Sequence, residues 1–414
     1  MKNYILKLCI AVSLLPGCSK KEKITTSDST VALTDSIINY NPCTREELLR
    51  EIDEKMIRVM KFLDDQNLEG ILLTTTRNFS WITAGIGDNH IVITSELGPA
   101  SLLIMKGGRK YLIGDNAEVP HLMDEDLNGL GYLPLQYNWN EDRKMELIKD
   151  VAKGKPIGTD TPMGDLFIVE NQFARLRHKL TETEIKKQRW LSEQTAEAVA
   201  SVCRTIEPGM SDRYIEAITS DVLMKKGIRG TVILIGLDDR IVKYCHFPPV
   251  GRKLEKYAFV NVCARKWGLI TSVGRYVYFG KLPQELNAAV KASAFISAQM
   301  IHHTKAGMKA SDMFELTKKW YSETGFPEEW KNIHSGGGIG YQEREWVATE
   351  TSDEVFVYPQ SFAWNPFVKA TLSFHTIIST EMGIEIVTNI KNWPVIPVTI
   401  EGKTYNMPDI LVRK

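Results

Sequence analysis

Four stretches of the chain carry side chains able to move protons or hold an anion. His246 heads His246-Phe247-Pro248-Pro249. His334 stands just before the run Gly336, Gly337, Gly338, and Arg344 sits between Glu343 and Glu345. His375 directly follows Phe374. Histidine suits general acid–base work because its ordinary pKa lies near neutral pH, and a guanidinium fork matches a carboxylate. Cys263 shares one face of its predicted strand with Asn261 by period two, so a thiol nucleophile with His246 as base is one reading and a small buried residue the plainer one. The triple glycine lacks the Lys-Ser/Thr and helix start of a phosphate loop and is not read as one. Structural readings stand beside each functional one. His246 serves equally as a turn or strand-end residue, Arg344 as an exposed salt-bridge partner and Arg275 as a brace on the sheet. Tyr341 and Trp364 read as core or pocket wall.

The elements that must position these groups are legible from periodicity. A helix is expected over 45–66, with Leu49, Ile52, Met56, Val59 and Leu63 at three- and four-residue spacing, followed by strands over 70–74, 90–94, 100–105 and 110–113. Helix and strand alternate to about Leu176, which predicts a small α/β domain over 44–178. Thr181 and Glu184 then form a capping box, and the helix they open carries Leu191, Thr195, Ala198 and Val202 on one face. Beyond it lies an internal repeat. The stretch from Thr205 to Asp212, with Gly209-Met210, is echoed from Thr304 to Asp312, with Gly307-Met308. In each copy a long helix precedes the Gly-Met turn, a second helix with a Ser or Asp cap follows and ends at a glycine (Gly227, Gly325), and strands come next. Residues 179–414 therefore read as two αα-ββ halves, with a site expected at the seam between them.

Composition narrows the function classes. The 414 residues carry 51 basic and 51 acidic side chains, which removes any charge argument for nucleic-acid binding. Gly, Pro and Cys counts are ordinary, against low-complexity and disulfide-scaffold readings. Lys2 and Lys7 precede an apolar run too short to span a bilayer, and Leu15-Pro16-Gly17-Cys18 resembles a bacterial lipobox. Residues 1–18 are thus expected to be a lipoprotein signal with acylation at Cys18, and 19–43 a tether, placing the protein on the bacterial cell envelope, periplasmic or surface-facing. Cys245 and Cys263, read on adjacent strands, could pair, although buried free thiols are the expected state.

Residues from about 181 to 390 resemble the pita-bread peptidase family of methionine aminopeptidase, aminopeptidase P, prolidase and creatinase. The resemblance lies in His246-Phe247-Pro248-Pro249, in 260–280, in Gly336 to Tyr341, and in Phe362-Ala363-Trp364-Asn365-Pro366. It implies an α+β fold: a duplicated pita-bread domain preceded by a smaller α/β domain of the creatinase type, assembled as a homodimer. Active peptidases of this family hold two divalent metals with two Asp, one His and two Glu. At those positions the resemblance places Asn261, Ser272, Gly337, Asn365 and Phe374. None is acidic, and two positive ions in a low-dielectric cleft without carboxylates would be left uncompensated. No metal or other cofactor is therefore expected.

What remains implies a neutral to cationic cleft for a small molecule or short peptide bearing a carboxylate. His246, His334 and His375 are the catalytic candidates, and His375 resembles a histidine of metal-free creatinase. Arg344, Tyr341, Asn365, Asn261 and Arg275 are the substrate-binding candidates, while Glu343, Glu345 and Glu350 are nearby carboxylates. Three functions stay open: a metal-independent C–N hydrolase with His246 as general acid/base, an inactive pseudo-peptidase that binds a peptide or metabolite, and a structural lipoprotein whose cleft is filled by Phe374 and Trp364.

Overall fold

A computed structural model describes residues 36–414. The lipobox, Cys18 and most of the tether lie outside the described residues. The first long helix, α1 (Arg45–Asp65), is opened by a capping box of Thr44 and Glu47. It buries Leu48, Ile52, Val59 and Leu63, but also Glu51 and Lys55, whereas Leu49 is turned outward. Next come β1 (Gly70–Thr75), α2 (Thr76–Ile82), β2 (Leu97–Met105), β3 (Lys110–Asp115), β4 (Tyr132–Tyr137), α3 (Lys144–Ala152), β5 (Ile157–Thr159) and β6 (Phe167–Ile168). These strands form one mixed six-stranded sheet in the order β4-β3-β2-β1-β5-β6. The strand expected over 90–94 is instead a turn segment. Ile91, Val92 and Ile93 are exposed and pair with no strand; only their apolar character points to one.

The duplication is architectural. In the first half α4 (Glu182–Thr205) and α5 (Asp212–Met224) precede β7 (Arg229–Leu237), β8 (Tyr257–Lys266) and β9 (Leu269–Phe279). In the second, α6 (Gln284–His303) and α7 (Ala310–Glu323) precede β10 (Gly336–Ile339), β11 (Trp346–Val347) and β12 (Gln360–Trp364). Then follow β13 (Phe367–Val368), β14 (Thr371–Leu372), β15 (His375–Thr380), β16 (Gly383–Ile386), β17 (Val395–Ile400), β18 (Lys403–Pro408) and β19 (Leu411–Arg413). The two Gly-Met turns make matching backbone bonds. Gly209 N donates to Leu254 O and Leu254 N to Met210 O, both at 2.8 Å; Gly307 N donates to Phe356 O and Phe356 N to Met308 O, both at 2.9 Å. Both turn glycines have positive φ, +94° and +88°, which a side chain would strain. The copies differ at the cap: Ser211 accepts from Tyr214 N, while Lys309 at the equivalent point caps nothing with its side chain.

The main sheets of the halves are β19-β9-β8-β7 and β11-β10-β12-β15-β16. Thr376 stitches them together, since its hydroxyl accepts from Ser272 N and donates to Ser272 O, both at 2.9 Å. A buried charged cluster ties the first domain to this assembly. Lys55 Nζ lies 2.6 Å from Glu51 and 2.8 Å from Glu184, Lys187 Nζ lies 2.9 Å from Glu51, and the Tyr341 hydroxyl donates to Glu184 at 2.8 Å. Two cations face two carboxylates there, so the charges balance where water is absent. Glu184 also closes the predicted capping box with Thr181. The four described cysteines are free, and Cys245 lies in coil after a short helix rather than on a strand beside Cys263. No helix among the described residues is long and apolar enough to cross a membrane.

Candidate functional site at the seam

Period-two alternation aims Phe259, Asn261 and Cys263 of β8 the same way, beside Val232 and Leu234 of β7. From the second half, Ile333, His334, Glu343, Arg344, Asn365, Leu372 and Phe374 close over them, and Cys245 and His246 complete the rim. The cavity they line is about 160 Å³, room for a ligand of a few heavy atoms, since a water occupies about 30 Å³. Its wall is mostly apolar with a few polar groups, the usual make-up of a small-molecule site. The cleft is open rather than filled: Phe374 lines it, but Trp364 is in the core, donating to Thr304 Oγ1 at 2.9 Å.

Arg344 dominates the chemistry of this cavity. Nη2 donates to Asn365 Oδ1 at 2.6 Å, Nη1 donates to its neighbour's carbonyl, Glu343 O, and the guanidinium lies over the Phe374 ring at 5.6 Å. Its Nε is sealed from solvent and has no partner, and among the described residues no carboxylate forms an ion pair with it. Burial pushes its pKa below the ordinary arginine value, though a guanidinium still stays charged at neutral pH. Asn261 Oδ1 is likewise buried without a partner. His334 is pushed down to about 4 by loss of water around its ring, by Arg344 and by His246, so it is neutral at pH 7. His246 is exposed at the rim, and among the described residues no carboxylate is hydrogen-bonded to it.

Other sequence candidates fall elsewhere. His375 opens β15 directly after Phe374 but does not share its cavity; with Arg275 it lines a different one behind the sheet. Tyr341 is bound into the charged cluster between the domains, and Glu345 is ion-paired with Arg177 at 2.7 Å. Glu350 is exposed, leaving Glu343 as the nearby carboxylate that lines the seam cavity. Burial pushes the Cys263 thiol up, and Ser272 Oγ donates to its sulfur at 3.2 Å, which does not make a reactive thiolate.

The profile of metallopeptidase family M24 matches residues 186–393, half of the chain. The chain belongs to metallopeptidase family M24. No curated protein sequence matches it significantly. Among solved structures, an Xaa-Pro dipeptidase from Bacillus anthracis is 20% identical with a TM-score of 0.67, covering 87% of this chain and 100% of its own. Dipeptidase PepE from Mycobacterium ulcerans is 14% identical with a TM-score of 0.71, covering 88% of this chain and 98% of its own. The N-terminal domain of FACT complex subunit SPT16 from Cicer arietinum is 14% identical with a TM-score of 0.64, covering 83% of this chain and 97% of its own. At these identities the likeness is one of fold.

The positions at which the resemblance would put the metal ligands of the family's peptidases hold Asn261, Ser272, Gly337, Asn365 and Phe374. Among the described residues no three His, Cys, Asp or Glu side chains converge as a metal-binding group. The backbone adds a steric reason: a Cβ on Gly337 would lie 2.0 Å from the Trp346 carbonyl oxygen, because β10 and β11 pair there. A histidine has no room at that position.

Proposed function

We propose that this M24 chain uses its seam cavity to bind a small carboxylate-bearing molecule, or the carboxyl end of a short peptide, without the family's metals. Arg344 carries the reading. An unpaired guanidinium in a cramped, largely apolar cavity, held in place by a neutral amide, is a receptor waiting for an anion. The exposed His246 and the neutral His334 stand at the mouth to contact the rest of the ligand.

Two imidazoles beside such a pocket support a second reading, metal-independent C–N hydrolysis. His246 would act as general acid/base, His334 would assist, and Arg344 would orient the anionic group. Against it stands the missing carboxylate partner for His246, since a catalytic base is normally oriented by a third group. Thermal shift across carboxylates, dipeptides and creatine-like compounds tests binding, and turnover assays on the same compounds test hydrolysis. Turnover abolished by His246→Ala would establish the second reading over the first.

We place the pocket at the bacterial envelope on an acylated Cys18, in a homodimer. Cys18→Ser should move the protein from the detergent phase to the aqueous phase in a Triton X-114 partition of expressing cells. An unchanged partition would remove the anchor.

A further inference from the structure

Behind the sheet, Arg275 of β9 and His375 of β15 line a second cavity, of about 250 Å³. Both side chains are almost completely buried, at 2% and 1% exposure. Arg275 Nη1 donates to Gly274 O at 2.8 Å and Phe374 O at 3.2 Å, and Nη2 donates to Thr388 O at 2.7 Å. A guanidinium has five N–H groups. That leaves Nε–H, buried with no partner, and one hydrogen on Nη2 beside it. His375 Nδ1 is 3.4 Å from Thr388 Oγ1, and its Nε2 is also buried without a partner.

Thr388 Oγ1 already accepts from Thr376 N, so its own hydrogen is free for His375 Nδ1, and Nε2 then carries the ring hydrogen. None of the residues lining the cavity is acidic, and Asn389 and Asn406 supply exposed amides near the opening. The guanidinium also lies over the Trp393 ring at 6.0 Å, but carbonyl oxygens and a ring face leave a buried cation without a counter-charge, and buried donors left unmade are costly.

We propose that this rear cavity is an oxyanion site, taking a compact carboxylate or phosphate between Arg275 Nε–H and His375 Nε2–H. It is separate from the seam cavity, because the two share no lining residue and the neighbours Phe374 and His375 divide between them, and it does not depend on the function proposed above. Burial lowers the Arg275 pKa to about 10, and a bound anion would relieve that.

The test is calorimetric titration of the protein with inorganic phosphate and, separately, with acetate, against sodium chloride at matched ionic strength. Saturable binding of either oxyanion is expected, and which of the two binds more tightly identifies the ligand class. In an Arg344→Ala background, which removes the carboxylate contact at the seam, saturable binding should persist, and adding His375→Asn, which keeps an amide near the Nδ1 position but removes Nε2, should weaken it at least tenfold. Because Arg275→Ala also strips three hydrogen bonds that brace the sheet, the second readout is the ¹⁵Nε resonance of Arg275 in the wild-type protein, which should shift as the anion is added. Binding lost in Arg344→Ala but kept in His375→Asn would assign the anion to the seam and overturn the proposal. So would the absence of binding beyond chloride, or an Arg275 resonance that does not move.

Discussion

Arg344 donates to Asn365 Oδ1 at 2.6 Å, and Asn365 Nδ2 donates in turn to the His334 carbonyl at 3.0 Å. The amide orients the guanidinium without neutralising it, which a carboxylate in the same place could not do. In the proposed reading, that one difference makes a position the family resemblance assigns to a metal-binding Glu the support of an anion receptor.

Asn365→Asp is therefore the sharpest single change. It keeps the side-chain shape but sets a negative charge against Arg344. Affinity for carboxylate ligands should fall at least tenfold, about 1.4 kcal/mol or more, with Tm near that of the wild type. Arg344→Ala should fall as far. Isothermal titration with the same ligand on both variants measures it, and wild-type affinity in Asn365→Asp would remove the anion pocket.

Restoring a histidine at Gly337 should not restore a metal site. The Trp346 carbonyl oxygen lies 2.0 Å from the point where a Cβ would stand, so Gly337→His or even Gly337→Ala must push β10 and β11 apart. The expected loss is about 3 kcal/mol, at the upper end for overpacked sites. Urea denaturation reads it. A Gly337→His protein of native stability would show that the strands have room to spare.

The charged cluster between the domains makes a stability prediction with a definite pH sign. Burial raises the Glu51 carboxyl, but Lys55 and Lys187 outweigh it and hold the group at about 2, below its ordinary 4.5. A lowered carboxyl pKa adds stability above the unfolded value, and that contribution is lost as pH falls from about 4.5 toward 2. Lys55→Met should cost about 3–5 kcal/mol, because it leaves buried carboxylates short of a partner. In Glu51→Gln the acid slope of the denaturation midpoint should flatten. An unaltered slope would show that Glu51 is not the group titrating.

Local chemistry makes much of this molecule readable from sequence. The capping box at Thr181 and Glu184 and the two Gly-Met turns depend on side chains and φ angles within a few residues, and they stand where expected. Long-range partners are out of reach. Nothing near Tyr341 in sequence points to Lys55, 286 positions away, or to Glu184, so the tyrosine reads only as core or pocket wall. His375 reads as a companion of His246 until the fold shows that it lines a cavity with Arg275 while its neighbour Phe374 lines the seam, a separation that depends on long-range packing. The apolar triplet Ile91, Val92 and Ile93 shows the converse error, since β-branched residues describe a strand only when a neighbouring strand is there to pair.

The central claim, carboxylate recognition by Arg344 without metals, is tested most directly by calorimetry in EDTA with a proline-terminated dipeptide and its C-terminal amide. Saturable binding of the free acid is expected in EDTA, at least tenfold weaker for the amide. Binding or turnover that emerges only after manganese, cobalt or zinc is added, with about two equivalents retained by the protein, would contradict it.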